Sequence, residues 1–266
     1  MTLYQSFKLW KNFFQGSRRI HQVRNINGKQ YFCKNYYEQN FLYTKTEYER
    51  AKFLSKIVNV PNVILREDEG CICYEYIAKS KTLEDIFAKN KVKDLEIDVN
   101  NLNYIFSKLG KDLSKIHKNS FIYADFGLCN IIIDKKMVLY YIDPSFTPLN
   151  QFKMEFSKED DIYLDISVLC VSLFVHTNNI NILDVVNNYA RLALFNKFLR
   201  SYIGESAINL SKIKILYFSI KVLSNDLFFN IFNKNGIKEK VLFIILRLFS
   251  IIVLMFFSPL FSVSKK

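Results

Sequence analysis

The chain predicts an α+β fold of two lobes, a small antiparallel sheet followed by a mainly helical part. Three observations carry this reading. Asn27-Gly28 lies between the plausible strands Ile20–Arg24 and Gln30–Lys34 and is a strong two-residue hairpin signal. From Asn101 to His117, apolar residues at 102, 105, 106, 109, 113 and 116 follow helical spacing with one buried stripe. Short apolar runs bounded by turn residues supply further strands on either side of that helix. The 266 residues, half of them hydrophobic, are enough for one large domain or two small lobes with a substantial core. The expected organisation is a first lobe over 1–77, a second over 78–232 and an apolar helical segment over 233–266.

In the first lobe, Gly16-Ser17 turns the chain just before the first strand. A glycine there lets backbone N–H groups approach a phosphate closely. Lys34 sits at the end of the strand that follows the hairpin. Thr44-Lys-Thr-Glu47 matches a capping box and opens a helix through Tyr48, Ala51, Leu54 and Ile57. Pro61–Leu65 and Cys71–Ile77 read as two more strands, joined by the turn Glu67–Gly70. Thr82-Leu-Glu-Asp85 has the same helix-opening pattern.

In the second lobe, His117 falls in the last turn of its helix, where a histidine can bond unused carbonyls, and a structural role is expected. Asp125 is followed five residues later by Asn130. The strand Ile131–Asp134, the turn Lys135-Lys136 and the strand Met137–Ile142 then lead to Asp143. That order suits phosphoryl transfer from a magnesium nucleotide: one carboxylate orients the attacking hydroxyl, and the amide and second carboxylate hold the metal. Asp125 and Asn130 alone are equally what a polar loop before a hairpin looks like. The preceding lysine strand, glutamate helix and hinge, in that order, separate the two readings. Further on, Glu159, Asp160 and Asp161 suit the positive end of a helix, and Asp165 opens an apolar helical run.

Asp125-x-x-x-x-Asn130 with Ile142-Asp143, introduced by Ala124-Asp125, resembles the catalytic loop and metal-binding strand of the protein-kinase-like superfamily. The likeness is to the small bacterial kinases acting on heptose and Kdo sugars of the lipopolysaccharide core, and it covers roughly Gly16 to Phe174. It implies ATP, Mg2+, a hydroxyl acceptor and a cytoplasmic active site in a cleft between two lobes. On that resemblance Lys34 neutralises the α- and β-phosphates, and Gly16 and Ser17 approach the phosphates. Glu49 is the expected partner of Lys34, with Glu47 as the rival already explained by capping. The hinge Glu75–Ile77 offers backbone hydrogen bonds to adenine. Asp125 is the catalytic residue, Asn130 and Asp143 are the metal ligands, and Asp165 braces the catalytic loop. Departures are present too. Tyr123 stands where histidine is frequent, and Ala124 where kinases regulated by loop phosphorylation have arginine. Pro144-Ser145-Phe146 follows Asp143 in place of Phe-Gly, which removes a flexible switch point. These departures motivate an alternative, a non-catalytic pseudokinase serving as a nucleotide-binding or interaction module.

The formal charge of +12 suits polyanionic partners such as nucleotide, a phosphorylated glycolipid or an anionic membrane face. An anionic sugar or glycolipid acceptor is expected; a nucleic-acid partner rests on charge alone and is not. Coding bias accounts for the lysine excess equally well. Five cysteines at 33, 71, 73, 129 and 170, without a Cys-x-x-Cys or a histidine cluster, argue against zinc and for a reducing cytoplasm. Val241–Val263 is almost wholly apolar and flanked by lysines. Its length meets the requirement of about 20 residues for a span, but Arg247 and Pro259 interrupt it. A helix lying in the membrane interface with Arg247 snorkelling, and a buried final helix, are the two alternatives. The expected location is the cytoplasm, either free of the membrane or peripheral on or anchored to the inner face of the cell membrane.

Overall fold

The computed structural model describes residues 20–35, 41–88, 99–144, 158–176, 185–206, 208 and 210–233. They form an α+β structure with a small antiparallel sheet and a mostly helical part. The chain divides into two compact units, Met1–Ala78 with Tyr141–Ser145, and Lys79–Tyr140 with Phe146–Lys266. The first therefore ends one residue past the expected boundary and also takes in the segment around Asp143. Gly16, Ser17 and Val241–Val263 lie outside the described residues.

In the first unit, β1 (Ile20–Ile26) and β2 (Lys29–Asn35) pair antiparallel with Ile26 opposite Lys29. Asn27 and Gly28 have φ of 53° and 78°, the left-handed pair that a tight twisted hairpin requires. α1 (Phe41–Leu54), β3 (Val63–Arg66) and β4 (Cys71–Glu75) follow, and the sheet order is β1-β2-β4-β3. β4 stops at Glu75, two residues short of the expected strand end.

Period-2 alternation sorts this sheet into two buried faces. Tyr31, Cys33, Cys71 and Cys73 cluster on one. Val63, Ile72 and Tyr74 pack with Ala51 of α1 on the other, joined by Ile142. Register places Cys33 directly opposite Cys73, and the two form a disulfide. This corrects the expectation of reduced cysteines. The pair is made by strand pairing across a separation of 40 residues, which no local spacing motif announces. Cys71, beside it, keeps a buried thiol whose pKa is raised, first by burial and then by the charge of Glu69.

In the second unit, β5 (Lys81–Thr82) leads into α2 (Leu83–Ala88), and α3 (Val99–Lys118) precedes the catalytic-loop sequence. The expected stripe is real: Ile105, Phe106, Leu109, Leu113 and Ile116 are all buried. β6 (Ile131–Ile133) and β7 (Leu139–Tyr141) complete a three-stranded sheet of order β5-β6-β7. Asp134 closes their turn, its Oδ1 accepting the amides of Lys136 and Val138.

α4 (Lys158–Val171) runs into a π-turn over Ser172–His176, and α5 (Val185–Ser206) and α6 (Lys212–Asn233) follow. Gly110 lets α3 approach α5 closely, because a Cβ there would stand 2.2 Å from the Phe198 carbonyl oxygen. α4 packs on α6, where Ser167 Oγ donates to the Ile215 carbonyl and Tyr163 stacks on Phe218. Among the described residues no helix is long and apolar enough to cross a membrane.

Candidate active site

The first unit assembles a buried charge cluster around Lys34. β2 directs this side chain to the helix-facing side of the sheet, where it is 3% exposed. Its Nζ lies 3.2 Å from Glu47 Oε1 and 2.8 Å from Asp143 Oδ2. The Tyr74 hydroxyl donates to the same Glu47 oxygen at 2.7 Å, and the Tyr74 ring lies beneath the ammonium at 5.3 Å. An ammonium removed from water needs such partners, and losing one of them costs about 3–5 kcal/mol.

Glu49, the expected partner of Lys34, is exposed, and Glu47 takes that role. The error came from the capping box. α1 begins at Phe41, so Thr44 lies inside the helix and its hydroxyl donates to the Gly70 carbonyl. Glu47 is thereby left to reach Lys34, and a residue two places on points roughly 200° around the helix, away from the sheet. Thr82 is the contrasting case. The Asp85 amide donates to Thr82 Oγ1 at 3.0 Å and the Thr82 hydroxyl to the Asp85 carboxylate, so Thr82 caps its helix.

Asp143 takes a left-handed backbone, φ 56°, which a non-glycine residue holds only where its surroundings enforce it. Lys34 grips its carboxylate, and Arg50 of α1 donates from Nε to the carbonyl of Pro144 at 2.6 Å. At the expected hinge, the Glu75 amide donates to Asn62 and the Tyr76 amide to Gln30. The Glu75 carboxylate bonds Lys29 at 3.1 Å, which raises the Lys29 pKa. The backbone donors of Glu75 and Tyr76 are thus engaged within the unit. Ile77 follows β4 directly.

The second unit holds Asp125 and Asn130. Asp165, fully buried, accepts the Tyr123 amide at 2.8 Å and the Ala124 amide at 2.6 Å. It lies in the interior of α4 rather than at its start. Its role as a brace is therefore visible in the hydrogen bonds, although its place in the helix was misjudged. Ala124 has φ 75°, so the loop is held left-handed immediately before Asp125, with two amides pinned to one carboxylate.

His117 Nε2 lies 3.0 Å from Asp165 Oδ2, and its Nδ1 lies 2.9 Å from the Tyr202 hydroxyl. The histidine is structural as expected, but through these side chains rather than through helix carbonyls. Burial, and then the Asp165 charge, push the Tyr202 hydroxyl pKa above its ordinary value. Beyond Asp125, Asn130 Nδ2 donates to the Asp125 carbonyl at 3.0 Å, and Ser172 Oγ accepts the Leu128 amide at 2.8 Å. Asp165 and Ser172 lie seven residues apart, two turns on one face of the helix. α4 and its π-turn therefore hold the loop on both sides of Asp125.

Tyr74, Arg50 and Ser172 were not anticipated. Period-2 alternation already puts Tyr74 on the face of Lys34, and helical spacing puts Arg50 beside Glu47. Ser172 carried no sequence signal, because its reach depends on how α4 packs.

No protein-family model matches the chain, and no curated protein matches it in sequence. The functional reading therefore rests on geometry. Lys34 and Asp143 of the first unit place a cation beside a carboxylate, and Asn130 of the second unit carries a carboxamide next to the Asp125 loop. Magnesium is commonly bound by one or two carboxylates together with substrate phosphates rather than by a complete protein cage. Among the described residues no cluster of three or more His, Cys, Asp or Glu side chains forms a cage for a metal. Asn130 uses its amide nitrogen on the loop, so its side-chain oxygen is the acceptor end of the amide.

Proposed function

We propose that the chain is an ATP-dependent kinase of the two-lobed protein-kinase-like class, transferring the γ-phosphoryl group to a hydroxyl. The observation that carries the reading is the buried Lys34–Glu47–Asp143 triad. It holds a cation and a carboxylate side by side on a rigid sheet and helix. Lys34 binds phosphate oxygens, and Glu47 with Tyr74 keeps its ammonium in place. Asp143 and Asn130 are the residues that would hold magnesium, which when bound would neutralise charge on the phosphates. Asp125 accepts the proton of the acceptor hydroxyl as its oxygen bonds to the γ-phosphorus and the bond to ADP breaks. Asp165 and Ser172 keep the Asp125 loop in its left-handed form.

The acceptor we propose is a sugar hydroxyl of the lipopolysaccharide core, or of a similar anionic glycolipid. The net charge of +12 supports it, as does the apolar stretch 241–263, which suits contact with the inner membrane face. The test is γ-phosphate transfer to membrane lipid extracts. Asp125→Ala and Asp143→Ala are each expected to keep a wild-type far-UV spectrum and to lose the labelled product. Undiminished transfer in either variant overturns the assignment.

A second reading is a non-catalytic module on the same scaffold. It is favoured by Lys34 already lying between two carboxylates and by Pro144 in place of a flexible residue. Nucleotide binding by wild type, with no transfer to any acceptor tried, would select it.

A further inference from the structure

Arg50 links the two halves of the Lys34 cluster by a hydrogen bond to the segment that carries Asp143. Glu47 and Arg50 are three residues apart on α1 and so share a face. Glu47 reaches back to Lys34, and Arg50 reaches forward to the Pro144 carbonyl. Proline has no N–H, so the peptide after Asp143 cannot be fixed through an amide at that residue. Its carbonyl is the backbone group available there, and an arginine takes it at 2.6 Å in a charge-assisted bond. Asp143 itself is held in a left-handed conformation and is 7% exposed. One helix thus grips both the phosphate-binding lysine and the segment that presents the metal-binding carboxylate.

We propose that Arg50 is a positioning residue for Asp143, fixing it in the metal-binding conformation whether or not nucleotide is present. The inference rests on the kinase reading for the identity of the metal, but the coupling itself is a property of the first unit. Where Phe-Gly would allow the segment after the aspartate to swing, Pro144 strapped to α1 does not. The site is therefore permanently set, and its control lies outside this segment.

The test uses the full chain and ADP, titrated calorimetrically with magnesium and again in EDTA. Wild type is expected to bind more tightly with magnesium. Arg50→Ala is expected to lose about tenfold of that magnesium-dependent gain, as for one charge-assisted bond, with EDTA affinity unchanged because Lys34 and Glu47 are intact. Arg50→Lys, which can still donate to a carbonyl, recovers part of the loss. Equal weakening with and without magnesium means that Arg50 supports the fold generally and overturns the proposal, as does an unchanged magnesium-dependent gain. If wild type binds no magnesium nucleotide, the kinase reading fails and a second measurement decides the coupling. This is a double-mutant cycle of Arg50→Ala and Asp143→Asn in urea unfolding. Non-additivity of about tenfold in the unfolding constant supports the strap, and additive effects overturn it.

Discussion

Single residues decide more here than their local motifs suggest. Thr44-x-x-Glu47 and Thr82-x-x-Asp85 are the same pattern, yet only the second caps a helix. Glu47 answers instead to the buried ammonium of Lys34, because an unpaired charge in that position costs more than an unmade cap, about 3–5 against about 1 kcal/mol. Glu47→Gln is accordingly expected to slow phosphoryl transfer about a hundredfold, a broken buried pair expressed as rate. Glu49→Gln is expected to leave the rate unchanged, its side chain being exposed. Steady-state kinetics on the two variants check this, and a larger loss from Glu49→Gln would reverse the pairing. Asp125, Asn130 and Asp143 could be singled out beforehand because the proposal needs only their order along the chain. The glutamate was not, because choosing it required the starting residue of α1.

At the scale of elements, periodicity reports buried faces well and boundaries poorly. The stripe of α3 follows from spacing alone, since a helix with one apolar face has one way to bury it. α4 was read as opening at Asp165 but begins at Lys158. Its early acidic residues do sit at the positive end of the helix, yet they crowd one another. Asp161 has its pKa raised, first by burial and then by Asp165 and Asp160. A carboxyl held above its ordinary value is penalised when ionised in the folded state. Its stabilising contribution is full below the ordinary value of 3.8 and is lost as pH rises through the folded pKa. Asp161→Asn is therefore expected to melt higher than wild type at pH 7, with the difference closing as pH approaches 3.8. Melting curves across that window test it, and a gap that widens toward acid would contradict the cause assigned.

For the molecule as a whole, the least legible feature is the covalent link between β2 and β4. An odd count of cysteines argued for reduced thiols, whereas strand register brings Cys33 and Cys73 face to face. Closing a loop of this length restricts the unfolded chain, a stabilisation of about 2–4 kcal/mol. Reduction by a dithiol, or Cys33→Ser with Cys73→Ser, is expected to lower the unfolding free energy from urea titration by that amount. Superimposable curves with and without reductant would refute it. Lys34 follows Cys33 directly on β2, so the link also fixes the register that turns Lys34 toward α1. The first unit also takes in Tyr141–Ser145, a return of the chain that no local pattern announces.

The amino-acid order by itself determined the hairpin at Asn27-Gly28, the apolar stripe of α3 and the spacing from Asp125 through Asn130 to Asp143. Each of these depends on residues close enough in the chain for backbone sterics and helical or strand period to act. Tertiary structure alone decided which glutamate meets Lys34, that Arg50 secures the peptide after Asp143, that Ser172 reaches Leu128, and that Cys33 meets Cys73. Those pairings join residues far apart in the chain. Their energies come from removing charge and polar groups from water, and only the folded packing specifies which partner each one finds.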